Sequence, residues 1–269
     1  MAAAPEAIPP LPPGGGDVFG RDGTRTPSRR VWVPEWPVAL EFNGLAYAVM
    51  MATPVDLTDF TTGFALSEGL ITTAAQVIDI AIAEVDAGWI IRATLAGLDA
   101  ARLGERVRAR VAESSCGLCG IENLETIARP LPPVAVHQRI TPSAIFTALA
   151  ALRGAQALGA ATGAAHAAGF ADAAGTITCL REDVGRHNAM DKLIGAMARA
   201  GEAMDGGFIL STARCSYEIV EKAVKAGATT LVTISLPTAM AVARARAAGL
   251  SLWVLAREDS VTLAHDGGA

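Results

Sequence analysis

Hydrophobic and polar positions repeat with two different periods along this chain, and the change of period divides it into halves. Val38-Ala39-Leu40-Glu41-Phe42 and the run from Leu45 to Met51 read as strands. Asn43-Gly44 between them are the residues a two-residue type I′ turn demands, so a β-hairpin is expected. Leu57, Phe60 and Phe64 then fall at helical spacing, with Asp56 placed to cap the helix they define. Residues 76–83 and 88–95 predict a second hairpin. Arg106-Val107-Arg108-Ala109-Arg110-Val111 alternates with period two, which predicts a half-buried strand with cations on its other face. Ile121, Leu124 and Ile127 return to helical spacing, and Leu131-Pro132-Pro133 closes this half.

From Thr141-Pro142-Ser143 the texture changes. An alanine-rich helix capped at its start runs to about Leu158, followed by strands at 165–171 and 176–182. Helix 186–199, strand 207–211, helix 215–226, strand 229–235, helix 237–247 and strand 250–255 then alternate. That order predicts a layer of largely parallel strands covered by helices. The expected fold class is α/β with α+β character. A smaller, hairpin-rich part spans 29–138, and an α/β part spans 139–266. Residues 1–28 are rich in Ala, Pro and Gly around Pro9-Pro10-Leu11-Pro12-Pro13-Gly14-Gly15-Gly16, and are expected to remain a disordered tail.

Composition narrows the function classes. Half of the 269 residues are hydrophobic, yet aromatics are only 5%, so alanine carries much of the apolar content. A net charge of −5 argues against a nucleic-acid-binding surface and leaves room for a local basic pocket. No basic segment followed by an apolar run opens the chain, and Arg, Gly or Pro cuts every apolar segment before the ~18–20 residues of a spanning helix. A cytoplasmic protein without membrane contact is expected. Four cysteines in this length do not make a disulfide framework.

Two of those cysteines stand three apart in Ser114-Ser115-Cys116-Gly117-Leu118-Cys119-Gly120. Glycines beside both thiols let the backbone move and present sulfur outward. A helix start near Cys119 and the arginines of 106–110 would favour the thiolate. Thiol–disulfide exchange, a zinc half-site and sulfur carried as a persulfide all fit such a turn. Structural zinc wants four ligands, but Cys179, Cys215 and the four histidines are scattered, so no metal site is expected. Thioredoxin-type exchange wants a βαβ context, and the upstream half is hairpin-like.

The remaining chemistry sits at predicted strand ends, where ligands of open α/β sheets collect. Arg181-Glu182-Asp183-Val184-Gly185-Arg186-His187-Asn188-Ala189-Met190-Asp191-Lys192 runs from a strand through a glycine turn into a helix. Asp183, Gly185, Arg186 and His187 are the candidate ligand-binding residues there, since a helix start with Arg and His suits a phosphate. Ser211-Thr212-Ala213-Arg214-Cys215-Ser216-Tyr217-Glu218 repeats the geometry, with Ser211 and Arg214 as candidates. Leu236-Pro237-Thr238 repeats it again, with Pro237 at an ordinary first helical position. His166, in Thr162-Gly163-Ala164-Ala165-His166-Ala167-Ala168, is a further candidate.

Taken in order, Cys-Gly-x-Cys-Gly, Thr-Gly-x-x-His-Ala-Ala, Arg-Glu-Asp-Val-Gly-Arg-His-Asn-Ala-x-Asp-Lys and Ser-x-x-Arg-x-Ser-Tyr-Glu resemble the FdhD family of formate dehydrogenase accessory sulfur carriers. The resemblance spans roughly 35–265. It implies a sulfurtransferase that takes persulfide sulfur from a cysteine desulfurase onto the paired-cysteine loop. The sulfur then passes to the molybdenum (or tungsten) bis-molybdopterin guanine dinucleotide cofactor before that cofactor enters formate dehydrogenase. Cys116 would carry the persulfide, with Cys119 as its partner. The family's cofactor-binding segment falls on Leu255, Ala256, Arg257, Glu258, Asp259 and Ser260. The resemblance also implies a cytidine deaminase-like three-layer part near the C-terminus and a homodimer. Relatives often end the cofactor segment in a Pro-Gly-Arg-like sequence; here Glu258-Asp259-Ser260 stands, leaving Arg257 to supply positive charge. The deaminase zinc signature is absent, so zinc deamination is not expected. Two rival readings are a non-catalytic cofactor-holding chaperone for formate dehydrogenase and a thiol–disulfide oxidoreductase.

Overall fold

The computed structural model of the protein describes residues 2–8, 10, 11, 14–28, 30–98, 103, 104, 129–134 and 139–268. The strand expected at 106–111, the loop with Cys116 and Cys119, and the helix expected from Ile121 lie outside the described residues.

Two sheets with separate cores meet along one pair of helices. After two short strands, β1 (Asp17–Phe19) and β2 (Arg25–Pro27), the smaller sheet holds β3 (Trp36–Phe42), β4 (Leu45–Ala52), β5 (Val77–Val85) and β6 (Gly88–Leu95) in the order β4-β3-β6-β5. Both expected hairpins form. Asn43 and Gly44 have φ of 49° and 80°, the two left-handed residues of a type I′ turn. α1 (Leu57–Ser67) lays Leu57, Phe60 and Phe64 on Val38, Leu40, Phe42 and Ile91. Asp56 does not cap it: the residue is left-handed, with φ of 52°, and its carboxylate makes no bond to the first turn.

The larger sheet has β7 (His166–Asp172), β8 (Ile177–Asp183), β9 (Gly207–Ser211), β10 (Thr230–Thr233), β11 (Ser251–Val254) and β12 (Thr262–His265) in the order β12-β11-β10-β9-β7-β8. The expectation of a largely parallel layer needs correcting to a mixed one. β9, β10 and β11 are parallel neighbours, but β7 is antiparallel to both β8 and β9, and β12 is an antiparallel edge. The turn at 173–176 between β7 and β8 is too short for the crossover that parallel strands require. Its Gly175 N–H donates to Asp172 O at 2.9 Å.

Alternating residues of these strands supply two cores, which makes the part three-layered. Ala168, Phe170, Ile209, Leu231 and Leu252 face α4 (Arg186–Arg199), α5 (Tyr217–Lys225) and α6 (Ala239–Ala248). Ala167, Ala171, Phe208, Leu210 and Val232 face α2 (Pro142–Ala155), which is followed by the short α3 (Ala157–Thr162). The Thr141 hydroxyl caps α2, accepting from Ala144 N at 3.2 Å.

α1 crosses α4 where glycine meets glycine. A Cβ on Gly63 would lie 1.7 Å from Asp191 O, and one on Gly195 would lie 1.9 Å from Asp59 O. Only glycine allows the two backbones to touch there. Charged residues fasten the same joint. Arg181, 1% exposed, donates from Nε to Asp59 Oδ2 at 2.9 Å, and Arg199 pairs with Asp59 as well. Lys192 is buried with Asp183 at 2.6 Å and donates to Thr53 O at 2.9 Å.

Before residue 28, where no packed structure is expected from composition, the chain holds a two-stranded ribbon, β1 (Asp17–Phe19) with β2 (Arg25–Pro27). Arg25 pairs with Asp17 and lies over the Phe19 ring, 5.7 Å from its centroid. Cross-strand charge and cation–π contact hold this ribbon where apolar burial cannot.

Candidate functional site

The carboxyl ends of β8, β9, β10 and β11 and the start of β7 line one edge of the large sheet, and α4, α5 and α6 all begin there. Five neighbouring strands at ~4.8 Å spacing give this edge a length of about 19 Å, a span suited to an extended ligand. Every candidate from the second half of the sequence falls on it or on the loops leaving it.

The stretch from Arg181 to Lys192 splits into a buried foundation and an outward pair. Glu182 accepts from Leu158 N and Gly159 N, each at 2.8 Å. Asp183 is fully buried, and both of its oxygens are occupied. Oδ1 accepts from Gly185 N at 2.7 Å and Asn188 Nδ2 at 2.9 Å; Oδ2 accepts from Thr53 N at 3.0 Å and pairs with Lys192. Asp183 therefore lies beneath the edge as a positioning residue. Asp191 holds Lys222 at 2.7 Å and Ser67 Oγ at 2.7 Å. Gly185 starts α4 with no side-chain cap, and a Cβ there would come within 2.8 Å of Asn188 Nδ2. Arg186 and His187 are left half-buried at the mouth.

At this mouth the usual satisfaction of buried polar atoms fails. Arg186 Nε and Ser216 Oγ are shielded from solvent and have no hydrogen-bond partner. Ser216 stands at the start of α5, yet its hydroxyl makes no cap bond. His187 Nε2 lies 3.0 Å from Glu218 Oε2 in the first turn of α5. This contact ties the two helix starts together. Burial pushes the Glu218 carboxyl up, but His187, Arg186 and Lys222 outweigh that and hold it below the usual range. His166 begins β7 opposite Asp183. Burial lowers its pKa, helped by the positive charge of Arg186 and His187 and opposed by Asp183. Two uncapped helix starts, a guanidinium and two imidazoles thus surround unsatisfied donors, which makes this mouth the candidate anion site.

The other candidates continue along the edge. Ser211 is buried, and its hydroxyl accepts from Ala213 N at 3.2 Å, so it shapes the loop after β9. Arg214 on that loop is exposed. Leu255 leaves β11 with a left-handed φ of 51°, a costly conformation for this side chain, and turns the chain back across the edge. Ala256 N donates to Thr233 O at 3.1 Å. Arg257 is pinned through its guanidinium to the carbonyls of Ile234 and Ala256. Glu258 approaches Arg153 of α2 at 3.9 Å with both side chains exposed, and Asp259 accepts from the Ser260 hydroxyl at 3.0 Å. The 255–260 segment and the Arg186–His187 mouth therefore share one edge, several strands apart.

Ser216 and Glu218 stand in the stretch from Ser211 to Glu218 but are not among its sequence candidates, because an unpartnered hydroxyl and a contact with His187 exist only in the folded chain. Cys179 and Cys215 are buried free thiols, and burial raises them to about 11 and about 12, so both remain protonated and inert. No cluster of metal-binding side chains occurs among the described residues, and no helix there is long and apolar enough to cross a membrane.

The fold and edge define a three-layer α/β protein with a candidate anion site at its strand ends, joined to a small helix-backed sheet. Residues 33–266 match the model of the FdhD/NarQ family, and the chain belongs to that family. It is 43% identical over 229 residues to a sulfur carrier protein FdhD of Bordetella bronchiseptica, covering 85% of this chain and 83% of the relative. It is 45% identical over 232 residues to the protein of that name from Xanthomonas campestris, covering 86% and 83%. Over 258 residues it is 41% identical to that of Variovorax paradoxus, covering 94% and 93%. The crystal structure of a candidate formate dehydrogenase accessory protein from Desulfotalea psychrophila has the same fold, with a TM-score of 0.74 at 22% identity over 95% of this chain and 97% of the other. A sulfur-carrier role in the service of formate dehydrogenase is the family's.

Proposed function

We propose that the chain accepts persulfide sulfur from a cysteine desulfurase on Cys116, with Cys119 as its partner. It then transfers that sulfur to a molybdenum or tungsten bis-molybdopterin guanine dinucleotide, the substrate that formate dehydrogenase later houses. In the first step the Cys116 thiolate attacks the terminal sulfur of the donor persulfide. The donor S–S bond breaks, the donor thiolate leaves, and the new S–S bond resides on Cys116. The observation that supports the acceptor half is the pair of uncapped helix starts with Arg186 Nε and Ser216 Oγ unsatisfied. Phosphates of a guanine dinucleotide supply the acceptors these donors lack, and the ~19 Å edge leaves room for the nucleotide to reach the 255–260 segment. Arg186, His187 and Arg214 hold phosphate in this reading, and neutral His166 takes part as a hydrogen-bonding group. Asp183, Gly185 and Ser211 position them. The protein works in the cytoplasm as a homodimer.

Intact-protein mass spectrometry after incubation with a cysteine desulfurase and cysteine tests the sulfur half. One added sulfur is expected on the wild type and on Cys119→Ala, and none on Cys116→Ala. Cys116→Ala should keep its affinity for GDP. A wild type that gains no sulfur but binds GDP would turn the reading into a cofactor-holding chaperone. A Cys116–Cys119 disulfide as the working state without GDP affinity would turn it into a thiol–disulfide oxidoreductase.

A further inference from the structure

Residues 2–6 cross the joint between the two sheets on the outside of the protein. Ala3 and Glu6 are exposed, whereas Arg181 and Asp56 beneath them are 1% and 3% exposed. Arg181 Nη2 donates to Ala3 O at 2.9 Å. Glu6 N–H donates to Asp56 Oδ1 at 2.7 Å, and Asp56 N–H donates to Glu6 Oε2, also at 2.7 Å. Ala2 packs against the core that α4, α5 and α6 cover. The segment thus touches both halves, with Ala3 on the large sheet's Arg181 and Glu6 on the turn before α1.

The surface beneath is also held by contacts other than those of the segment. Arg181 stays anchored by Asp59 at Nε and Nη2, at 2.9 and 2.8 Å, and by Leu180 O at 2.9 Å. Asp56 remains at the start of α1, its carboxylate free of any capping bond and 3.6 Å from Arg181. What stays behind is a fixed set: one guanidinium N–H, one backbone N–H and one carboxylate oxygen. The segment, held by three hydrogen bonds and one half-buried alanine, belongs to the least stable part of the structure.

We propose that this is a docking groove for an extended acidic peptide, with residues 2–6 of the chain as its resident, displaceable occupant. The recognised chemistry is a backbone carbonyl for Arg181 and, three residues later, a side-chain carboxylate and a backbone N–H for Asp56. A partner segment with that spacing competes with residues 2–6 for the same three groups.

The test uses the full chain, as wild type and as Glu6→Ala, which removes one exposed carboxylate and leaves the buried pairs intact. Hydrogen exchange at the Asp56 amide should be about tenfold faster in Glu6→Ala, the effect of losing one charge-assisted bond. A fluorescent peptide of residues 2–8, Ala-Ala-Ala-Pro-Glu-Ala-Ile, should bind Glu6→Ala and restore the slow exchange, and should bind the wild type at least about tenfold more weakly. The same peptide with Gln in place of Glu should not bind. Equal Asp56 exchange in the two chains would overturn the docking itself. Faster exchange without peptide binding would overturn the groove as a site for acidic segments.

Discussion

α6 and α5 begin alike, each one residue after a hydroxyl-bearing side chain that stands five residues beyond the end of a parallel strand, yet they are finished differently. Thr238 closes α6 with its own hydroxyl, accepting from Ala241 N at 3.1 Å, as Thr141 closes α2. Ser216 leaves α5 open, and Gly185 leaves α4 open beside it. A helix start has four N–H groups without partners inside the helix, and proteins normally satisfy them locally. Two adjacent starts are left unfinished next to unsatisfied Arg186 Nε and Ser216 Oγ, and in the proposed function a phosphate from outside the chain is the missing acceptor. The same contrast runs inside α4. Its first two residues, Arg186 and His187, stand at the mouth, and Asn188, Asp191 and Lys192 after them are paired beneath it.

The largest effect is expected from cutting the foundation. Lys192→Ala strands the buried Asp183 carboxylate and should cost about 3–5 kcal/mol of stability in denaturant melts, with GDP affinity lost through misfolding. If Lys192→Ala melts like the wild type, the pair is not the foundation described. Arg186→Ala should do the reverse, leaving stability within about 0.5 kcal/mol while GDP affinity falls about tenfold to a hundredfold in titration calorimetry. An Arg186 variant that binds GDP as tightly as the wild type would move the phosphate away from this mouth.

The contrast between helix starts is sharpened by a smaller pair of variants. Thr238→Ala should lose about 1 kcal/mol and no nucleotide affinity. Ser216→Ala should lose nucleotide affinity and almost no stability, and a stability loss equal to that of Thr238→Ala would make Ser216 an ordinary cap. The smallest effect concerns pH. His166 titrates below its ordinary 6.5 in the folded chain, so between that lowered value and 6.5 the unfolded chain binds more protons. Its contribution is complete above about 6.5 and is lost as pH falls through this window. The melting temperature should therefore drop less from pH 7.5 to pH 5.5 in His166→Gln than in the wild type, and parallel profiles would contradict the burial that lowers the His166 pKa.

Local signals made most of the elements legible. Asn43-Gly44 specified its turn, Thr141-Pro142 its helix start, and helix 186–199 and strand 207–211 were readable to the residue because period and punctuation coincide there. Legibility failed where a residue's partner lies far along the chain. Asp56 reads as a cap but serves Glu6 and Arg181, and Asp183 reads as a ligand group but is consumed by Thr53 and Lys192.

The sequence by itself determined most of the described strands and helices, the paired cysteines, the family and the clustering of charge at strand ends, because these depend on spacing within a few residues. Only the tertiary structure decided that β7 runs against its neighbours, that Gly63 and Gly195 are contact points of two helices, and which charges are structural and which remain open. Those outcomes depend on which polar groups meet after burial. A carboxylate or guanidinium taken out of water must find a partner, and the one it finds is chosen by packing across more than a hundred residues, as for Asp59 with Arg181.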